Sequence, residues 1–203
     1  MSRSAASPGR IVLASKSEIR RSILESAGID AEVAPSGVDE EAIKRELAAE
    51  SAEITAQALA EAKARAVSRA RPEAWVVGAD QILRLDGRLY DKVTNMDAAR
   101  TRLLSLRGVA HELVCGLALA RDGEVRRTQV SIVRMQMRDF SETWLDDHLE
   151  RAGEGILSSV GCYHYEGLGA QLFERVDGDY FSVLGLPLLP LLAMLREEGA
   201  LPA

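Results

Sequence analysis

The 203-residue chain reads as an α/β protein, a two-lobed mixed sheet with flanking helices. Three observations predict this class. Short apolar runs alternate with helix-period segments through the first half, as strand–helix–strand units require. Two Asp-Gly pairs, at 86–87 and 122–123, sit between strand-like runs in the second half and predict antiparallel hairpins. Hydrophobic residues make up 47% of the chain and charged residues 28%, which supports a core at this length and argues against disorder.

Each element follows from local chemistry. Residues 11–14 (Ile-Val-Leu-Ala) form a short buried strand. A helix over residues 17–27 carries Ile19, Ile23 and Leu24 on one face, and Gly28 stops it. Residues 31–34 form a second strand, ended by Pro35 and Gly37. Helices follow over 39–49 and 52–70, the latter rich in Ala, Glu, Lys and Arg, all strong helix formers; Pro72 closes it. Residues 75–79 are a buried strand that ends at Asp80. Residues 82–85 and 88–90 flank the first Asp-Gly turn. Asn95 caps a helix over 96–106 that Gly108 ends. Residues 112–120 and 124–137 flank the second turn. A helix over 141–151 precedes loop glycines 153 and 155. A strand over 171–175, a turn at 177–179 and a helix over 186–196 complete the chain. Residues 1–10 read as a frayed tail and 11–203 as one domain.

The chain has 25 basic and 31 acidic side chains, a net charge of −6. That balance excludes a polymeric nucleic-acid partner, because counterion-release binding needs a basic surface. The most apolar stretch, residues 184–195, is interrupted by Gly185, Pro187 and Pro190 and falls far short of about 20 residues, so no membrane partner is expected. Two unpaired-motif cysteines, Cys115 and Cys162, suit a reducing compartment, and the expected location is cytoplasmic.

Several constellations have a chemical reading beside a plain one. The hydroxyl-rich turn Ser15-Lys16-Ser17 opens a helix whose free N–H groups favour phosphate. Arg20 and Arg21 in its first turn oppose the helix dipole, as if an anion offset them; the plain reading is a Ser17 cap with solvated arginines. Asp80 closes an apolar strand where a carboxylate suits a divalent metal or water activation, or else caps a turn. Asp39-Glu40 at a helix start has an ordinary dipole explanation. Lys63 and Lys92 read as solvated on their own. The run from Gly161 to Gly169 lets backbone approach a ligand or is simply a loop. His148, on a polar helix, is expected to be exposed. His111, Cys115, Cys162 and His164 do not make a zinc site, since residues 111 and 115 on one strand stand about 13 Å apart.

Taken together, LASKSEIRR, GADQ, the Lys92 segment with MDAARTRLLSLRGVAHELVCGLAL, YEGLGAQLFERVDGDY and VLGLPLLPLLAML resemble the Maf family of nucleoside triphosphate pyrophosphatases in order and spacing, over roughly residues 11–196. The resemblance implies a central nucleotide-binding cleft, a fold related to inosine triphosphate pyrophosphatase, and hydrolysis of a nucleoside triphosphate that needs Mg²⁺ or Mn²⁺. It is compatible with a homodimer. It matches Ser15 and Arg20 to the family's phosphate-contacting Ser and Arg, Glu40 to its acidic residue, Lys63 to its helix lysine, Asp80 to its central catalytic Asp and Lys92 to the lysine usually followed by Pro. The expected roles are Asp80 and Glu40 holding the metal, and Arg20, Lys63 and Lys92 clamping the polyphosphate. Glu18 and Val93 stand where the family usually has Pro. At three selectivity positions Ile19, Gln81 and Glu166 stand where a 7-methyl-GTP branch carries Trp, Gln and Glu, and a dTTP/UTP branch Arg, Thr and Gln. Two of three therefore favour the 7-methyl-GTP branch. The alternatives are the dTTP/UTP type and a non-catalytic nucleotide-binding regulator of cell division.

Overall fold

A computed structural model describes residues 9–202; most of the tail expected over 1–10 lies outside the described residues. The strands are β1 (Ile11–Leu13), β2 (Ala31–Val33), β3 (Trp75–Leu85), β4 (Arg88–Tyr90), β5 (Ala110–Arg121), β6 (Glu124–Met137) and β7 (Phe173–Asp177). The helices are α1 (Glu18–Ser26), α2 (Glu40–Glu46), α3 (Ala52–Ala70), α4 (Met96–Leu106), α5 (Glu142–Ala152), α6 (Tyr180–Val183) and α7 (Leu188–Glu197). The seven strands form one mixed sheet in the order β2-β1-β3-β5-β6-β7, with β4 paired to β3. β1 runs parallel to β2 and β3, whereas β3–β4 and β6–β7 are antiparallel.

Local chemistry accounts for the element ends. Ser17, Asp39, Ser51, Asn95 and Ser141 each cap a helix by accepting a hydrogen bond from a backbone N–H three residues on. Both Asp-Gly turns take positive φ at both residues, 48° and 77° at Asp86-Gly87 and 53° and 78° at Asp122-Gly123. That pair of angles matches the right-handed twist of the strands it joins.

The chain divides into two compact units. The first takes the described chain up to Asp80, Cys115–Ser131 and the chain from Gly185 onward. Within it Val12, Ala14, Val76, Ala118 and Ala120 pack against Ala60, Ala64 and Val67 of α3. The helix lies very close to the strands. A Cβ added at Gly78 would stand 2.2 Å from the Ala60 carbonyl oxygen, and one at Gly116 2.1 Å from that of Ala56. Alanines at 52, 56, 60 and 64 give α3 a flat, small-residue stripe at helical spacing that permits this approach.

The second unit comprises Gln81–Val114 and Ile132–Leu184. Leu83, Leu113, Val133, Met135 and Met137 of the strands meet Leu103 and Leu106 of α4 and Leu145 of α5. His111 is buried there, its Nε2 2.7 Å from the Tyr163 hydroxyl, and burial lowers its pKa to about 4. His148 is buried rather than exposed, and stacks on Trp144 at 4.9 Å between ring centroids. The reason is its place on the apolar stripe that Leu145 and Leu149 define.

Other expectations shift at their edges. β3 continues through Asp80 to Leu85, so Asp80 is mid-strand rather than terminal. The expected strand at 171–175 begins at Phe173, after a 3₁₀ turn over Leu168–Leu172. The last helix starts at Leu188 because Pro187, lacking an N–H, suits a helix start. No helix among the described residues is long and apolar enough to cross a membrane.

Candidate active site

In the first unit, α1 with the turn before it, α2, α3 and β3 place six of the expected site residues. Lys63 follows Ala62 and precedes Ala64, whose backbone N lies 2.8 Å from a Cβ placed on Gly78. Asp80 is two residues beyond Gly78 and therefore projects from the same face of β3 toward the helix. The glycine contact brings the two side chains together. Lys63 Nζ donates to Asp80 Oδ1 at 2.6 Å and lies 3.0 Å from Glu40 Oε2. Lys63 and Asp80 are each only 7% exposed, so the plain reading of Lys63 as a solvated helix residue does not hold. Glu40 enters from the first turn of α2, fixed by the Asp39 cap.

Arg20 is organised from the same strand. Its Nε donates to the Gly185 carbonyl at 2.7 Å, and its Nη1 to the Ala79 carbonyl at 2.8 Å and to Ser15 Oγ at 3.3 Å. Ser15 Oγ also accepts from the Ser17 N–H at 3.1 Å. The cation that opposes the α1 dipole is thus offset by two backbone carbonyls, and its guanidinium plane is oriented by both. Ile19 lies beside it on α1, half-buried.

The remaining candidates belong to the second unit. Gln81 donates its amide to the carbonyls of Ser182 (2.9 Å) and Val183 (3.1 Å). Lys92 and Glu166 are both exposed. Sequence reasoning missed Gly78, Gly116 and Gly185, which seat the helix and hold the arginine. The signal for the first two was available: glycines within apolar strands, opposite a four-residue alanine period.

The donor set bears on metal binding. Among the described residues no cluster of three or more His, Cys, Asp or Glu could form an all-protein cage. Two carboxylates, Glu40 and Asp80, nonetheless converge on one cationic nitrogen. That is the pattern Mg²⁺ accepts, since it binds through one or two carboxylates and takes its other oxygens from water and phosphate. Cys115 and Cys162 are both buried and form no disulfide, and burial raises the Cys162 thiol to about 11, which disfavours its reactive thiolate form.

An α/β chain with paired acids, a buried lysine and a carbonyl-oriented arginine belongs among proteins that handle phosphorylated small molecules. The chain is a member of the Maf family, whose model, described as Maf-like protein, matches residues 10–198. It is 52% identical to a nucleoside triphosphate pyrophosphatase of Maricaulis maris, over 95% of this chain and 98% of that one. It is 49% identical to a nucleoside triphosphate pyrophosphatase of Granulibacter bethesdensis, again over 95% and 98%. A 7-methyl-GTP pyrophosphatase of Brucella suis is 47% identical over 93% of this chain and 96% of its own. A solved nucleoside-triphosphatase / dITP/XTP pyrophosphatase of Mycobacterium abscessus aligns with 63% of this chain and 74% of its own at 17% identity and a TM-score of 0.34, a likeness too slight to bear on fold or function.

Proposed function

We propose that the protein is a nucleoside triphosphate pyrophosphatase that hydrolyses 7-methyl-GTP to the monophosphate and pyrophosphate. Relatives of about half identity carrying the pyrophosphatase name support the reaction, and those named for 7-methyl-GTP support the substrate. The observation that carries the reading is the buried Lys63 between Glu40 and Asp80. Carboxylates at a phosphate site repel the ligand unless a cation stands between them, so a mere phosphate binder gains nothing from them.

Water oxygen bonds to the α-phosphorus, the bond from that phosphorus to the bridging oxygen breaks, and pyrophosphate leaves with the electron pair while one proton is released. Asp80 and Glu40 would hold a divalent ion, Mg²⁺ or Mn²⁺, which when bound would supply neutralisation of phosphate charge and a lowered pKa for bound water. Arg20 and Lys63 bind the polyphosphate and stabilise charge on the leaving group, joined by Lys92. Ser15 and the N–H groups opening α1 orient one phosphate. Asp80 serves as ion ligand or as proton acceptor, and both roles require an ionised carboxylate.

Glu166 accepts hydrogen bonds from the guanine N–H edge and favours a methylated, cationic ring. Gln81 presents an amide held by backbone carbonyls. Ile19 offers apolar contact without aromatic stacking.

The test is a pyrophosphate-release assay with Mg²⁺ over a panel containing 7-methyl-GTP, GTP, dTTP and UTP. The expected result is metal-dependent turnover with 7-methyl-GTP preferred, and loss of roughly a hundredfold or more in Asp80→Asn with the fold intact. Preference for dTTP and UTP would move the protein to the other branch. Tight nucleotide binding without turnover on any member of the panel would make it a regulator instead.

A further inference from the structure

We propose that Lys63 is a built-in counter-cation that holds the metal position when nucleotide is absent, and so makes metal and nucleotide bind cooperatively. The proposal rests on the reading of Glu40 and Asp80 as the metal-holding acids.

The geometry is that of a cation between two anions. Lys63 Nζ lies 2.6 Å from Asp80 Oδ1 and 3.0 Å from Glu40 Oε2. Its side chain is 8% exposed and that of Asp80 11%, so water does little to screen either charge. An ammonium has donors and no acceptor, and here it faces the same two carboxylates a divalent ion would use, donating to Asp80 and ion-paired with Glu40. The ion and the ammonium cannot share them without strong like-charge repulsion at short range.

The lysine must therefore move when the ion enters, and its freedom to do so is narrow. The backbone on either side is pinned, because Ala60 and Ala64 rest against Gly78 with no room for a Cβ. Only the flexible four-carbon stem can swing. Without nucleotide, a swung ammonium loses both carboxylates and stays in a largely buried place, which opposes metal entry. A triphosphate changes the balance. Its oxygens give the displaced ammonium a new anionic partner and complete the coordination that two carboxylates leave unfinished. Each ligand then strengthens the other by the same factor, as linkage demands.

The experiment measures Mn²⁺ binding to the full chain by electron paramagnetic resonance, alone and with the α,β-methylene analogues of GTP and 7-methyl-GTP. It compares the parent with Lys63→Met. In the parent, Mn²⁺ alone should bind weakly and either analogue should tighten it about tenfold or more. In Lys63→Met, Mn²⁺ alone should bind about tenfold tighter than in the parent, and the enhancement by the analogue should shrink toward unity. Thermal unfolding gives a second readout: Mg²⁺ alone should raise the Tm of Lys63→Met and leave the parent nearly unmoved. Lys63→Gln, which keeps a donor to both carboxylates without the charge, serves if the Met variant folds poorly. Equal or weaker Mn²⁺ binding in both Lys63 variants overturns the proposal. Mn²⁺ binding that survives both Glu40→Gln and Asp80→Asn overturns the underlying metal reading instead.

Discussion

Lys63 of α3 and Asp80 of β3 form a buried ion pair of 2.6 Å, with Glu40 of α2 as a second acid at 3.0 Å. The lysine carries the single positive charge of this triad, so the three residues are not equivalent in what their removal does. Taking away Lys63 leaves two carboxylates facing one another. Taking away the Asp80 charge leaves Lys63 paired with Glu40, whose side chain is 43% exposed and easily solvated.

The expected order of stability loss is therefore Lys63→Met above Asp80→Asn above Glu40→Gln. Breaking a buried pair so that charge is left uncompensated costs about 3–5 kcal/mol, and Lys63→Met should approach that range. Glu40→Gln should fall within about 1 kcal/mol, as partly exposed pairs do. Urea unfolding of the three variants without metal checks the order. A Lys63→Met protein as stable as the parent would show that the triad contributes nothing to the fold.

Gly78→Ala and Gly116→Ala test the seat of α3. Each new Cβ would meet a backbone carbonyl oxygen, at 2.2 and 2.1 Å, which no side-chain rotation relieves. Both variants should lose about 1–3 kcal/mol or more through overpacking. Their activities should part company. Gly78 contacts Ala60 and Ala64, which bracket Lys63, whereas Gly116 contacts Ala56 farther along the helix. A larger fall in kcat for Gly78→Ala than for Gly116→Ala, measured well below both Tm values, is the expected result. Equal kcat in the two variants would disconnect the helix seat from Lys63.

The same residues show what a sequence can disclose. The hairpins are legible because Asp-Gly tolerates the left-handed angles that a two-residue turn needs. Helix α3 is legible from its propensity, and Arg20 stands out because a cation in a first turn opposes the dipole. The environment of Lys63 is not legible from its own helix, since only tertiary approach through Gly78 and Gly116 buries it. Asp80 and Gln81 interrupt an apolar run and so look like a strand end, although β3 passes through them. The polarity of its neighbours makes His148 look exposed, whereas its spacing with Leu145 and Leu149 puts it on the buried face. The helix Tyr180–Val183 is too short to show any period.

Arg20→Lys separates charge from orientation. The arginine uses Nε and Nη1 together to reach the Gly185 and Ala79 carbonyls, a forked arrangement that a single ammonium does not reproduce. The charge survives the substitution, but its alignment does not. KM for the nucleotide should rise about tenfold in Arg20→Lys, and kcat/KM should fall further in Arg20→Ala. Steady-state pyrophosphate release with Mg²⁺ measures both. Parent-like kinetics in Arg20→Lys would mean that charge alone suffices and the two carbonyls do not orient a phosphate clamp.

The buried pair of His111 and Tyr163 predicts an acid-side loss of stability. Burial lowers the His111 pKa to about 4 from its ordinary 6.5, and Nε2 meets the Tyr163 hydroxyl at 2.7 Å while Nδ1 has no hydrogen-bond partner. Above the unfolded pKa neither state binds a proton, so the full stability is present. As pH falls below about 6.5 the unfolded chain takes up a proton that the folded chain refuses, and stability declines. The decline continues until the folded imidazole itself titrates near 4, where the lost stability reaches about 3 kcal/mol for this group. His111→Gln, which keeps a polar partner for Tyr163 but does not titrate, should start less stable at pH 8 and lose less between pH 7 and 4.5. Tm profiles of parent and variant over that interval give the comparison. Parallel profiles would show that His111 is not the group whose burial makes the fold acid-sensitive.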